Sequence, residues 1–244
     1  MPGMLGTPGQ FLDRFETTLH REGWAVIRML VPPSRTTEHR SIVIDPDDAD
    51  TTLREVAAEL DERTAECAYA VEAALGWARS IEPAIGDLPA ALIGMSGTGM
   101  MLPAVLARNE HAFGAAVAIG TGANAFRILR ESSYGEVLDS IRVSWQPEEP
   151  DGDTINAIDE LYLDHARLDA FALAPLVADT PTLVIMGAGD HAVPTQTGEL
   201  LWRRLGEPER WLLPVGHELL FGLATLRMNE IVDWLGAQTG GADE

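Results

Sequence analysis

The stretch Leu92-Ile-Gly-Met-Ser-Gly-Thr-Gly99 joins an apolar run to a helical pattern. It begins with apolar residues that are typical of a short buried strand, and after it Leu102 and Leu106 recur at the four-residue spacing of a helix face. Pro103 lies inside that helical pattern, so we expect a kink there. Ser96 is therefore predicted to lie on a tight turn between a strand and a helix.

Strand and helix patterns alternate on both sides of this turn. Such alternation predicts an α/β fold, with a mostly parallel sheet flanked by helices. The predicted strands are 24–30, 90–93, 115–119, 181–186 and 211–213, and the predicted helices cover about 11–19, 52–79, 200–205 and 219–235.

The length of 244 residues predicts a single domain, 1–244. Within it, residues 121–180 loosen into polar turns and short helical patterns, with an acidic, proline-containing hinge near Glu148. We interpret 121–180 as a small cap or insertion that covers a site.

Three polar residues follow predicted strands of this sheet. Ser96 follows the strand that ends at 93, Asp190 follows the strand that ends at 186, and His217 follows the strand that ends at 213. In parallel α/β sheets, ligands bind at the carboxyl ends of strands, so we expect these side chains to meet. The sequence therefore predicts one site built from Ser96, Asp190 and His217.

Each residue type suits a separate task in nucleophilic catalysis. A serine hydroxyl needs an imidazole to take its proton as it attacks, and a carboxylate holds that imidazole in the right tautomer. The positions two before and two after such a serine are usually glycine. Gly94 meets this requirement, whereas Thr98 departs from it and Gly99 follows one residue later.

The charge balance excludes several function classes. The chain has 17 Arg plus Lys, all of them Arg, against 38 Asp plus Glu, for a net charge of -21. An acidic surface without an arginine cluster disfavours nucleic-acid partners and anionic membranes. The absence of lysine excludes a Schiff base to a substrate or to pyridoxal phosphate, and it excludes a P-loop lysine.

Cysteine usage and hydropathy bear on the compartment. Cys67 is the only cysteine, so no intrachain disulfide forms, and its helical setting favours core packing over a reactive thiol. No apolar run reaches the length of a membrane helix, and no signal-peptide pattern opens the chain. These observations predict a cytoplasmic protein.

Other residues offer weaker alternatives. Three aspartates remain reserve candidates for the acid: Asp151, Asp153 and Asp159. His191 is interpreted as a substrate-side or structural residue, and the pair Asp164 and His165 as an exposed helical turn rather than a metal site. The glycines near 120 and 187 do not form a dinucleotide-binding pattern.

Taken together, the sequence resembles the α/β-hydrolase superfamily, particularly small bacterial serine esterase-like members. Three segments carry the resemblance: 92–99, 181–194, with Asp190 ahead of a Val-Pro pair, and 207–217, which ends in Gly-His. A fourth, Pro2-Gly-Met-Leu-Gly-Thr7, is similar to the oxyanion loop of the family, although Pro2 replaces its histidine. The strands that lead into that loop in the family are missing before it.

The resemblance implies roles for further residues. The amides of Met4 and Gly97 would bind the oxyanion. Independently of the resemblance, we predict that Leu5, Met95 and Met100 line a substrate pocket, which would favour an apolar acyl group. The resemblance implies no cofactor and no metal.

Several functions fit these residues. The favoured hypothesis is a serine hydrolase that cleaves small carboxylic esters through an acyl-enzyme. A thioesterase or amidase with the same triad is a second hypothesis, and a hydrolase-fold protein that binds a ligand without turnover is a third. The sequence leaves the oligomeric state open.

Overall fold

The computed structural model describes residues 9–29, 40–86, 88–134 and 141–240. The helices in these ranges are α1 (Gly9–Arg21), α2 (Ala49–Ile81), α3 (Ser96–Gly99), α4 (Leu102–Arg108), α5 (Ala125–Glu131), α6 (Gly152–His165), α7 (Ala170–Leu173), α8 (Thr195–Arg204), α9 (His217–Leu226) and α10 (Met228–Thr239). The strands are β1 (Arg40–Ile44), β2 (Ala90–Met95), β3 (Phe113–Ile119), β4 (Ile141–Trp145), β5 (Thr182–Gly187) and β6 (Glu209–Leu213).

The main sheet has the strand order β2-β3-β5-β6, and every neighbouring pair is parallel. Strand β5 is buried along its whole length. Because all four strands run in one direction, the segments that follow β2, β3, β5 and β6 emerge at the same edge of the sheet. The predicted parallel sheet is confirmed.

Both faces of this sheet are covered, which explains its apolar strands. Val184 and Met186 of β5 point into a cluster with residues of α4 and α8, whereas Leu183 and Ile185 point into a cluster with residues of α1, α9 and α10. This alternation is the two-residue period of a strand. Cys67 is half-buried and packs against the first cluster, and burial raises the pKa of its thiol.

The predicted insertion contributes to a second layer. Strand β4 pairs in parallel with β1, and α6 packs on α2 around a third apolar cluster that includes Leu53, Phe126 and Tyr162. Residues from the predicted insertion thus share a core with residues 42–60. The prediction that 121–180 caps a site stays a prediction.

Two predicted elements differ from the structure. The strand predicted from Trp24 is wrong within 24–29, because this segment bonds to α1 instead: the Trp24 amide donates to the Leu19 carbonyl at 2.9 Å, and Arg28 pairs with Glu16 at 3.1 Å. The single helix predicted over about 219–235 is two helices in the structure, α9 and α10, which meet at Arg227. None of the helices in the described ranges combines the length and apolar composition that a membrane crossing requires.

The helical segment that includes Ser96 and Leu106 is also divided into two helices. Instead of kinking one helix, Pro103 lies in the first turn of α4, where its missing amide hydrogen costs no helical hydrogen bond. The short helix α3 ends at Gly99, and Met100 and Met101 form a turn before α4 begins.

Candidate active site

Ser96 lies at the point where β2 becomes α3. Its φ of 51° is in the left-handed region, which costs a non-glycine residue roughly 1–2 kcal/mol. Close backbone packing holds this turn: a Cβ on Gly94 would lie 3.0 Å from the Gly99 Cα, and a Cβ on Gly99 would lie 2.8 Å from the Thr121 Cβ. The two glycines therefore let α3 sit directly on the sheet.

Thr98 stands where glycine usually follows such a serine. Its side chain is buried, and its hydroxyl donates a hydrogen bond to the Met95 carbonyl at 3.0 Å. The β-branched side chain is thus satisfied at the end of β2, and the close approach to the sheet is made by Gly99 instead.

Asp190 follows β5 in a loop that is bound to the loop after β6. The Ala188 amide donates to the Leu213 carbonyl at 2.8 Å, and the Gly189 amide donates to the Val215 carbonyl at 3.1 Å. A Cβ on Gly187 would lie 2.6 Å from the Val215 oxygen. The glycine pair near 187 thus brings the two loops together.

The structure brings Ser96, Asp190 and His217 into one hydrogen-bonded chain. The Ser96 Oγ lies 2.9 Å from the His217 Nε2, and the His217 Nδ1 lies 2.6 Å from the Asp190 Oδ2. The Asp190 Oδ1 accepts two further hydrogen bonds, from the amides of Ala192 at 3.0 Å and Val193 at 2.8 Å. Both carboxylate oxygens therefore have partners.

Burial and hydrogen bonding decide the tautomer of the histidine. Asp190 is 4% exposed and His217 is 5% exposed, so water does not compete for their hydrogen bond. An ionised carboxylate can only accept, which places the imidazole proton on Nδ1 and leaves Nε2 to accept from the Ser96 hydroxyl. Ser96 itself is half-buried, at the open end of this chain. The arrangement can deprotonate the serine as it attacks a substrate.

Residues that sequence reasoning missed surround the imidazole. The Phe221 ring meets the His217 ring at 88° with the centroids 5.0 Å apart, and the Tyr134 ring meets it at 85° and 5.7 Å. A Cβ on Gly120 would lie 3.3 Å from the His217 Cε1. The four-residue spacing of His217 and Phe221 on α9 is a sequence signal for the Phe221 contact. A glycine directly after β3 is a sequence signal for the close approach at Gly120. Nothing in the sequence indicates Tyr134.

The remaining predicted site residues lie in different surroundings. Gly97 is buried in the first turn of α3, where backbone amides lack an intrahelical acceptor. Met95 packs into the cluster of α1, α9 and α10, whereas Met100 lines a cavity of about 40 Å³ between α2, α5 and α6. Met4 and Leu5 lie outside the described residues.

The reserve aspartates serve other purposes. Asp151 caps the amino end of α6 by accepting from the Thr154 amide at 2.9 Å, and Asp153 is exposed in the first turn of that helix. Asp159 pairs with Arg130 at 2.7 Å, and burial nevertheless raises the pKa of its carboxyl.

Neither of the weaker histidine candidates takes part in the hydrogen-bonded chain of Ser96, His217 and Asp190 as far as the described residues show. His165 bonds to Asp50 at 2.8 Å, and His191 is exposed. Within the residues that the structure describes, no three His, Cys, Asp or Glu side chains are grouped to hold a metal ion.

Comparison with known proteins bears on the fold. No protein-family model and no curated protein matches the sequence. Among solved structures, the chain is similar to an acylaminoacyl peptidase from Pyrococcus horikoshii, with a TM-score of 0.51 and 14% identity over 72% of this chain. The chain has the α/β-hydrolase fold.

The similarity covers only part of the peptidase, 28% of its chain. Two further similar structures are a hydrolase from Pseudomonas aeruginosa PA01, with 16% identity over 66% of this chain and 70% of that one, and an enol-lactonase from Burkholderia xenovorans LB400, with 17% identity over 68% and 72%. Both have a TM-score of 0.41. In this α/β-hydrolase fold, β2 precedes Ser96, β5 precedes Asp190 and β6 precedes His217.

Proposed function

We propose that the protein is a serine hydrolase that cleaves small carboxylic esters through an acyl-enzyme. The observation that carries the proposal is the continuous hydrogen-bonded chain from the Ser96 hydroxyl through His217 to the buried carboxylate of Asp190. A chain of this kind supplies a nucleophile, a base and a group that orients the base.

The proposed reaction has two halves. In the first, the Ser96 Oγ bonds to the ester carbonyl carbon while its proton passes to the His217 Nε2, and the ester C–O bond then breaks as the imidazolium gives that proton to the leaving alkoxide. In the second, a water attacks the acyl-enzyme with the same base, and Ser96 is released with the carboxylic acid. Asp190 stabilises the imidazolium in both halves.

The negative oxygen of the tetrahedral intermediate needs hydrogen-bond donors. We assign this task to the amide of Gly97 and, from the sequence resemblance, to the amide of Met4. Each such donor contributes roughly 10²–10³ in rate. We further assign Leu5 and Met100 to the acyl side, which favours an apolar acyl group, and we leave Met95 out of this pocket because its side chain packs into the cluster of α1, α9 and α10. The assigned steps use no cofactor.

Labelling with a fluorophosphonate probe tests the proposal. The purified protein is treated with the probe, and the modified peptide is identified by mass spectrometry. We expect an adduct on Ser96 that Ser96→Ala abolishes and that Ser80→Ala leaves unchanged, because Ser80 is an exposed helical serine whose hydroxyl donates to the Trp77 carbonyl one turn earlier. A folded sample that forms no adduct would overturn the proposal in favour of a binding protein without turnover.

A substrate panel then distinguishes the ester hypothesis from the thioesterase and amidase hypotheses. Matched esters, thioesters and amides that share one apolar acyl chain are compared by kcat/KM. We expect the esters to be cleaved with the highest kcat/KM. A higher value for the thioester or the amide would reassign the protein to those activities with the same triad.

A further inference from the structure

Tyr134 reaches the candidate site from the segment that follows α5. Its ring lies at 85° to the imidazole ring of His217. This contact involves the whole imidazole ring, whereas the hydrogen bond to Asp190 involves only the Nδ1 atom. Its hydroxyl donates a hydrogen bond to the Glu218 Oε1, and Glu218 is the residue directly after His217 on α9. One side chain thus contacts both His217 and its neighbour.

The backbone around Tyr134 is bound to the same site. The Ser133 amide donates to the His191 carbonyl at 2.8 Å, next to Asp190 in sequence, and the Tyr134 amide donates to the Ser132 Oγ at 3.2 Å. The turn at 132–134 is therefore attached to the loop of the acid and, through Tyr134, to the helix of the base.

We propose that Tyr134 is a positioning residue, which its hydrogen bond to Glu218 holds against His217 so that the imidazole keeps the plane that points Nε2 at Ser96. This inference rests on the proposed serine hydrolase function. A hydrogen bond from Nδ1 to Asp190 fixes one atom of the imidazole but leaves the ring able to rotate about that contact. Perpendicular contacts with Tyr134 and Phe221 fix its plane as well.

The protonation states of the pair suit this role. Burial and the Glu218 carboxylate raise the pKa of Tyr134, and the Tyr134 hydroxyl lowers the pKa of Glu218. The tyrosine therefore remains the donor and the glutamate the acceptor at least between the ordinary pKa values of the two groups, roughly 4 and 10.

Steady-state kinetics of four single variants test the inference. We expect Tyr134→Ala to lower kcat about tenfold with KM changed by less than about twofold, because displacement of a catalytic group by about 1 Å costs up to roughly 100-fold in rate. Tyr134→Phe and Glu218→Ala should each lower kcat about threefold, since each removes one exposed hydrogen bond. Glu218→Gln retains an acceptor oxygen and should rescue most of the wild-type kcat.

A double-mutant cycle gives the decisive comparison. If Tyr134 and Glu218 act through one hydrogen bond, the variant Tyr134→Phe with Glu218→Ala loses no more kcat than the more affected single variant. Tyr69→Phe is the matched control and should keep the wild-type kcat. Tyr69 is an exposed tyrosine on α2 whose ring lies against the Arg108 guanidinium.

The outcomes distinguish this inference from the function on which it rests. Wild-type protein that does not react with the fluorophosphonate probe overturns the proposed function itself. If the wild-type protein reacts with the probe, two results would overturn the positioning role alone. One is a Tyr134→Ala variant with the wild-type kcat, and the other is a double-mutant cycle in which the two losses of kcat are independent.

Discussion

The carboxyl group of Asp190 makes hydrogen bonds with two different purposes. One oxygen accepts from the amides of Ala192 and Val193 and so fixes the loop, while the other accepts from the Nδ1 of His217 and so fixes the tautomer. The first purpose survives replacement of the carboxylate by an amide, and the second does not.

Asp190→Asn therefore separates folding from activity. The Asn oxygen still accepts from the loop amides, but the Asn NH₂ group faces Nδ1 and favours the tautomer with the imidazole proton on Nε2. A protonated Nε2 can no longer accept a hydrogen bond from the Ser96 hydroxyl. We expect the rate of fluorophosphonate labelling to fall about 10³–10⁴-fold with little change in the unfolding midpoint. Asp153→Asn is the control and should label at the wild-type rate, since Asp153 is exposed on α6.

Gly120 limits the space behind the imidazole. Its φ of +57° disfavours any side chain, and an added Cβ would lie 3.0 Å from Leu220 and 3.3 Å from His217. We expect Gly120→Ala to lower the free energy of unfolding by about 1–3 kcal/mol and to slow labelling of Ser96. Gly222→Ala on α9 has nothing within 4 Å and should leave labelling unchanged. Normal labelling by Gly120→Ala would show that the imidazole tolerates this displacement.

The grouping of Ser96, Asp190 and His217 could be read from the sequence because each of them follows an apolar strand. The contact between Tyr134 and His217 could not, since Tyr134 comes from a polar segment without periodicity and meets His217 only through the tertiary fold. The same limit applies to Met95 and Met100, which are five residues apart and lie in different surroundings.

At the scale of elements, the sharp turn from β2 into α3 depends on contact between backbones. Gly99 lies against Thr121, two residues after β3, and the short helix contacts both β2 and β3. This contact sets the height of Ser96 above the sheet.

Gly99→Ala tests that contact. The new Cβ would lie 2.8 Å from the Cβ of Thr121, which cannot rotate away because it is fixed to the backbone. We expect a loss of about 1–3 kcal/mol in the free energy of unfolding, measured by urea titration. Gly76→Ala on α2 has no neighbour within 4 Å and should stabilise the helix by up to about 1 kcal/mol. Equal midpoints for the two variants would contradict close packing at Gly99.

The elements themselves differ in how far sequence predicts them. The buried strands β3 and β5 are confirmed because both faces of the sheet demand apolar residues, which leaves a clear run. Segment 24–29 is also mostly apolar, but its Trp24 amide bonds to α1, a tertiary contact that local apolar content does not encode. The pairing of β1 with β4 joins residues about 100 positions apart, and no local pattern specifies it.

At the scale of the molecule, the net charge of -21 opposes compaction. Dissolved salt shortens the range of this repulsion from about 10 Å at 0.1 M to about 3 Å at 1 M. We expect the thermal midpoint to rise as sodium chloride increases over this range, because mutual repulsion outweighs the ion pairs that salt also weakens. A midpoint that falls with salt would mean that the ion pairs dominate.

The position of β6 at one end of the order β2-β3-β5-β6 has a consequence for heat inactivation. Its residues are only partly covered, whereas β5 is buried throughout, and His217 begins the helix that follows it. The periphery of a sheet opens at lower cost than its centre. On slow heating, reactivity of Ser96 should therefore vanish a few degrees before the circular dichroism signal, and it should return on cooling as long as the centre of the sheet has not melted.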